Sequence, residues 1–202
     1  MVLILDIGIG NVGSVANMIK RCGREVVISK EWRDIKQADT LILPGVGHFD
    51  KGMEKIHKSG LKEILDEQVL ERKKKILGIC LGMQLMLKGS EEGHCEGLKW
   101  IDGYCKKFVF EEGLYKVPHM GWNLVIFREN TVYSSLNEEA QFYFVHSYYA
   151  QCVHAEEILG ITKYGDKEFV SAFLKDKIMG VQFHPEKSHI FGMRLLEKFL
   201  KA

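Results

Sequence analysis

The sequence predicts a doubly wound α/β fold: a mostly parallel sheet with helices on both faces, continued by an antiparallel extension. Three observations carry this. Short continuous apolar runs alternate with helical patterns through the first half of the chain, as in βα units whose strands are covered on both faces. The turn Gly78-Ile79-Cys80-Leu81-Gly82 joins one such run to a helix. After residue 95 the pattern changes to short strand-like runs parted by turns such as Tyr164-Gly165-Asp166 and Lys175-Asp176, which suggest antiparallel hairpins.

In chain order, Val2–Leu5 reads as a buried parallel strand. Residues 14–22 read as a helix with Val15, Met18, Ile19 and Cys22 on one side, closed by Gly23. Strands follow over 25–29 and 40–43, the second stopped by Pro44-Gly45. Helical stretches over 52–58 and 61–74 are split at Ser59-Gly60, and the strand 75–79 leads into a helix over 81–88. The later strands are expected over 103–110, 123–127, 131–134, 140–150, 157–164, 169–175 and 177–183, before a last helix over 191–201. No repeat or linker interrupts the 202 residues, so one domain spanning 1–202 is expected.

Composition narrows the function classes. With 46% apolar residues and only three prolines the chain can bury a substantial core. Its formal net charge of +1 lacks the electrostatic footprint of a nucleic-acid binder. The one dense basic run, Arg72-Lys73-Lys74-Lys75, reads as a solvated helix end. Five cysteines without a C-x-x-C pair give no support for a metal or thioredoxin-type site, and free thiols in a reducing cytoplasm are expected. Neither a signal peptide nor a membrane span is recognisable.

The glycine-flanked Cys80 has the form of a nucleophile elbow, which lifts a reactive side chain to the carboxyl edge of a sheet. At a helix N-terminus the unpaired N–H groups favour the thiolate. A small buried cysteine that only packs at a strand end would explain the pentapeptide equally well. The decision needs a base. Val181-Gln182-Phe183-His184-Pro185-Glu186 supplies one, because residues two apart on an extended segment share a face. Glu186 would then hold one imidazole nitrogen of His184 while the other meets the thiol, the logic of an activated nucleophile. The other seven histidines lack such a partner and placement.

At these residues the sequence resembles the class I, triad-type glutamine amidotransferases, and among them the family of glutaminase subunits of imidazole glycerol phosphate synthases. Six blocks carry the resemblance in order: Asp6 to Asn11, Leu43 to Phe49, Leu77 to Gln84, Val117 to Asn123, Tyr143 to Tyr148 and Val181 to Ser188. The resemblance implies glutamine hydrolysis by Cys80, His184 and Glu186, with no cofactor and no metal. It implies an oxyanion hole from the backbone at Val46, Gly47 and Leu81, with a peptide flip around Gly45 and Gly47 switching activity when the partner is loaded. Gly45, Gln84, Ser147 and Tyr148 match positions of the glutamine pocket. The chain has no room for an ammonia acceptor, so a partner is needed. The family's partner is a (β/α)8 cyclase that receives ammonia for histidine synthesis. Met120, Trp122, Asn123, Tyr143 and Lys187 are expected at that interface, although Tyr143 suits the chain's own core equally well.

Departures from the family pattern occur at Ile7, Val12 and Trp100-Ile101-Asp102-Gly103. They leave room for a paralogue that donates ammonia for amidination of a bacterial surface sugar. Two further alternatives come from the motifs. A related cysteine hydrolase would share the elbow and histidine but need no partner. Gly8-x-Gly10-x-x-Gly13, with Glu31 beyond it, matches a dinucleotide fingerprint and so an NAD-binding oxidoreductase. A tight βα turn explains the same glycines. A non-catalytic regulatory module would have no use for Cys80.

Overall fold

The computed structural model describes residues 1–111, 115–137 and 140–201. Its first half holds β1 (Val2–Leu5), α1 (Val12–Arg21), β2 (Val26–Ser29), α2 (Trp32–Gln37), β3 (Thr40–Gly45), α3 (Phe49–Lys58), α4 (Leu61–Asp66), β4 (Lys75–Cys80) and α5 (Leu81–Leu85). Then come β5 (Gly103–Lys107), β6 (His119–Leu124), β7 (Ile126–Phe127), β8 (Gln141–His146), β9 (Tyr148–Cys152), β10 (Ile158–Tyr164), β11 (Lys167–Lys175), β12 (Ile178–Val181) and α6 (His189–Lys201).

The main sheet runs β2-β1-β3-β4-β12-β11-β10-β7, with β9 pairing β11 and β5 pairing β9. From β2 to β12 every pairing is parallel, and beyond β12 every pairing is antiparallel. This is the expected doubly wound sheet with its extension. A separate antiparallel pair, β6 with β8, stands beside it.

Alternation along the parallel strands supplies two cores. Leu3, Leu5, Leu41, Leu43 and Ile76 pack with Phe49, Met53 and Ile56 of α3 and with Leu61 and Leu65 of α4. Val2, Ile4, Ile42, Leu77 and Ile79 face the other way, onto α1 and onto Leu195, Leu196 and Phe199 of α6. Burial on both faces is why these strands read as unbroken apolar runs.

Several expectations are corrected. Helix α2 was not foreseen, because Ile35 is its single buried residue and gives no period to detect. Thr131–Ser134 is not a strand but a turn leading into a 3-10 turn at Ser134–Leu136. The strand expected over 140–150 is two strands parted at Ser147, since β8 pairs β6 while β9 pairs β5 and β11. Strand β3 continues through Pro44-Gly45, and the helix expected over 81–88 ends at Leu85. Among the described residues no helix is long and apolar enough to cross a membrane.

Candidate active site

Cys80 is the last residue of β4, opposite Gly45 of β3 on one side and one step beyond the Ile79–Val181 pair with β12 on the other. Its backbone has a positive φ, with φ 53° and ψ −109°, a conformation that costs about 1–3 kcal/mol and persists only where neighbours enforce it. Those neighbours are close. A Cβ on Gly78 would lie 2.7 Å from Gly82 O, and one on Gly82 would lie 1.8 Å from Leu43 O. The glycines of the motif therefore let α5 start directly against β3 and β4.

The chain leaving β12 passes Gln182 and Phe183 to His184, whose N–H donates to Tyr143 O at 2.9 Å. His184 Nδ1 donates to Glu186 Oε1 at 2.8 Å, and both side chains are buried. The local form differs from expectation. Strand β12 ends at Val181, and Pro185–Lys187 is a 3-10 turn that curls Glu186 back toward the imidazole. Ser188 Oγ locks the turn by donating to His184 O at 2.6 Å and accepting from Tyr143 N–H at 3.0 Å.

No well-directed hydrogen bond joins the imidazole to the thiol. Among the described residues His184 Nε2 is buried without a hydrogen-bond partner, yet Cys80 is near enough to act on its ionisation. Burial opposes the charged ring, but hydrogen bonding and charge from Cys80 and Glu186 outweigh it and carry the pKa up to about 10. At neutral pH this histidine is an imidazolium that has a proton to give.

Cys80 opens into a cavity of about 360 Å³ lined by Val46, Gly47, Leu81, Gln84, Glu92, Pro118, Val145, His146, Ser147 and Tyr148. Of the pocket residues expected from sequence, Gln84, Ser147 and Tyr148 line it. Gly45 does not; a Cβ there would press within 2.8 Å of Gly82 N, so its smallness serves the elbow. Of the three expected oxyanion positions, Gly47 and Leu81 have amides without an intramolecular acceptor among the described residues. The Val46 N–H is committed to Ile9 O and is not a free donor in this conformation.

Sequence reasoning missed Glu92, His146 and Gln182. Glu92 accepts from Phe49 N–H at 2.8 Å while lining the cavity. It sits in a polar turn, Ser90-Glu91-Glu92-Gly93, that nothing in the sequence sets apart. His146 Nδ1 donates to Tyr148 O at 2.8 Å, and its Nε2 lies 3.0 Å from His119 Nδ1. Burial lowers the pKa of His146 to about 3 and that of His119 to about 4, so both rings are neutral.

The expected interface residues divide. Met120 and Trp122 are exposed on β6, at 63% and 46%, and Lys187 is exposed as well. Tyr143 is half-buried, edge-on to Trp122 and beneath the Lys187 ammonium. Asn123 turns inward instead: its amide donates to Lys163 O at 2.9 Å and lies 3.2 Å from His119 Nε2.

The dinucleotide alternative loses its footing at the same level of detail. A Cβ on Gly10 would come within 3.1 Å of Pro44, and Asn11 Oδ1 already caps α1 by accepting from Ser14 N–H. Close packing of the loop after β1 against Pro44 of β3 accounts for that glycine. Among the described residues no three His, Cys, Asp or Glu side chains are gathered in a way that could hold a metal.

A glycine-flanked cysteine at the carboxyl edge of a parallel sheet, beside an acid-held histidine and open to a cavity, is the arrangement expected of a thiol-dependent enzyme. The sequence model described as "Glutamine amidotransferase class-I" matches residues 3–202, and the chain belongs to that family. It is 49% identical over 202 residues to the imidazole glycerol phosphate synthase subunit HisH 2 of Methanococcus maripaludis, covering 100% of this chain and 99% of that one. It is 47% identical to the subunit of the same name from Pseudomonas aeruginosa, with the same coverage. To the HisH subunit of Leptospira interrogans it is 41% identical, over 98% of each chain. Among solved structures, one titled "Crystal structure of glutamine amidotransferase" superposes with a TM-score of 0.74 at 18% identity, covering 99% of this chain and 97% of that one. That likeness concerns the fold.

Proposed function

We propose that this chain is the glutaminase subunit of an imidazole glycerol phosphate synthase, acting as a single glutaminase domain over residues 1–202. It hydrolyses glutamine to glutamate and passes the ammonia to a cyclase. One observation carries the reading: His184, gripped by Glu186 at 2.8 Å, lies against Cys80 at the mouth of a cavity sized for an amino acid.

Glutamine enters with its side-chain amide at Cys80 and its ammonium toward Glu92, the carboxylate in the cavity wall. The Cys80 thiolate adds to the amide carbon, and the oxyanion is held by the Gly47 and Leu81 amides. His184 gives its proton to the departing ammonia. It then draws a proton from water, which hydrolyses the thioester to glutamate. Release of the Val46 amide from Ile9 would add an oxyanion donor, which gives the partner a handle on the rate. That partner is a (β/α)8 cyclase, docked over Met120, Trp122, Tyr143 and Lys187, and the pair works in the cytoplasm. Together they make imidazole glycerol phosphate and aminoimidazole carboxamide ribotide in histidine biosynthesis.

A second reading keeps the same chemistry but sends ammonia to amidination of a bacterial surface sugar. The departures from the family pattern at Ile7, Val12 and Trp100-Ile101-Asp102-Gly103 leave room for it. Complementation of a histidine auxotroph separates the two. The chemistry itself is tested by Cys80→Ala in the assembled complex. Glutamine-driven turnover should fall on the order of 10⁴-fold or more, while the partner's reaction with free ammonium salt continues. Loss of both, or of neither, would sink the assignment.

A further inference from the structure

Gln182 takes no part in the reaction as described so far, yet it is fully buried and touches the reacting sulfur. Its Nε2 lies 3.7 Å from Cys80 Sγ, and its Oε1 lies 3.0 Å from Gln84 Nε2. The two ends of a glutamine amide look alike by shape, so the network must decide which one faces the sulfur. It does so in two steps. Tyr148 O is a carbonyl and can only accept, so the Gln84 atom 3.1 Å from it must be the NH2 group. That NH2 also points at Gln182, which must therefore answer with its oxygen. The remaining end of Gln182, an N–H donor, is turned onto the sulfur.

We propose that Gln182 is a further catalytic residue, whose side-chain amide donates to the Cys80 sulfur and favours its thiolate form. A hydrogen bond to the charged form of a group stabilises that form, and a buried setting strengthens it. The main-chain position is fixed as well: Gln182 N–H donates to Ser171 O at 2.9 Å, one step past the last β12–β4 pair. The sulfur thus has two kinds of neighbour. His184 supplies a charge that leaves with the proton, while Gln182 supplies a donor that stays through the cycle.

The inference rests on Cys80 being the nucleophile but is tested separately from it. Full-length protein would be alkylated with iodoacetamide from pH 6 to 9.5, with modification read at Cys80 by peptide mass, because four other cysteines are present. In Gln182→Met the donor is gone and the shape is nearly kept. Alkylation at pH 6 should be about tenfold slower than in the unchanged protein, a factor matching about 1.4 kcal/mol, and the gap should close by pH 9.5. Gln182→Glu should widen the gap by placing a carboxylate at the thiol. Rates within twofold at every pH would overturn the proposal. A second readout needs no core substitution. In the native chain the 15N-labelled side-chain amide of Gln182 should shift as the thiol titrates, and that shift should vanish in Cys80→Ala. An amide resonance that stays fixed would also overturn it. If Cys80 alkylation left glutamine hydrolysis intact, the glutaminase reading itself would fail, whatever the pH profile showed.

Discussion

His184 is pulled two ways. Burial opposes the imidazolium, while Cys80 and Glu186 favour it strongly enough to bring the pKa up to about 10. Replacing Glu186 by Gln keeps the shape of the contact but removes the carboxylate charge and the preference for the Nδ1–H tautomer. The His184 pKa should then fall toward its ordinary value near 6.5, followed by the imidazole NMR shift against pH. Glutamine turnover in the complex should drop on the order of 10²- to 10⁴-fold, the range seen when the orienting acid of a triad is neutralised. An unchanged kcat would show that Glu186 merely packs there. At this scale the sequence was informative: the grouping of Cys80, His184 and Glu186 in space was legible from two short motifs. Glu92 and Gln182 were not, because a lone acid in a turn and a polar residue in a strand carry no spacing signal.

At the scale of elements, the elbow depends on α5 starting in contact with β3. Gly82→Ala would put a methyl where Leu43 O now sits, 1.8 Å from the ideal Cβ position. Backbone cannot yield as a flexible side chain does, so α5 must move away. A loss of about 1–3 kcal/mol in urea unfolding is expected, together with slower alkylation of Cys80 as its strained φ relaxes. A variant as stable and reactive as the original would mean that the glycine is incidental. The elements with strong local patterns, β1, α1 and β4, fell within a residue or two of expectation. Those decided by partners did not: β8 and β9 form one apolar run in sequence, and only their assignment to different sheets breaks it at Ser147.

For the molecule as a whole, three buried histidines shape stability against pH. His119 and His146 are held neutral, with pKa values below that of the unfolded chain. Their contribution is complete above about pH 6.5 and is lost as pH falls toward 4 and 3. His184 has the opposite sign: its contribution is complete below about pH 6.5 and fades as pH rises through about 10. The stability maximum should therefore lie near neutrality, with an acid limb to which buried His146 adds up to about 1.4 kcal/mol per pH unit. Urea midpoints measured from pH 4 to 10 would check this. In His146→Gln the acid limb should flatten, and an acid limb as steep as the original would contradict the assignment.

The sequence by itself determined the parallel half of the sheet, the elbow at Cys80 and the pairing of His184 with Glu186, because each is set by neighbours a few residues apart. Tertiary structure alone decided that the Val46 amide is held by Ile9, that Glu92 enters the cavity, and that Gln182 turns a donor onto the sulfur. Gln84 and Gln182 lie 98 residues apart, and Cys80 and Gln182 lie 102 apart. Contacts of that kind follow from strand order and register, which many sequences with the same local pattern could satisfy differently.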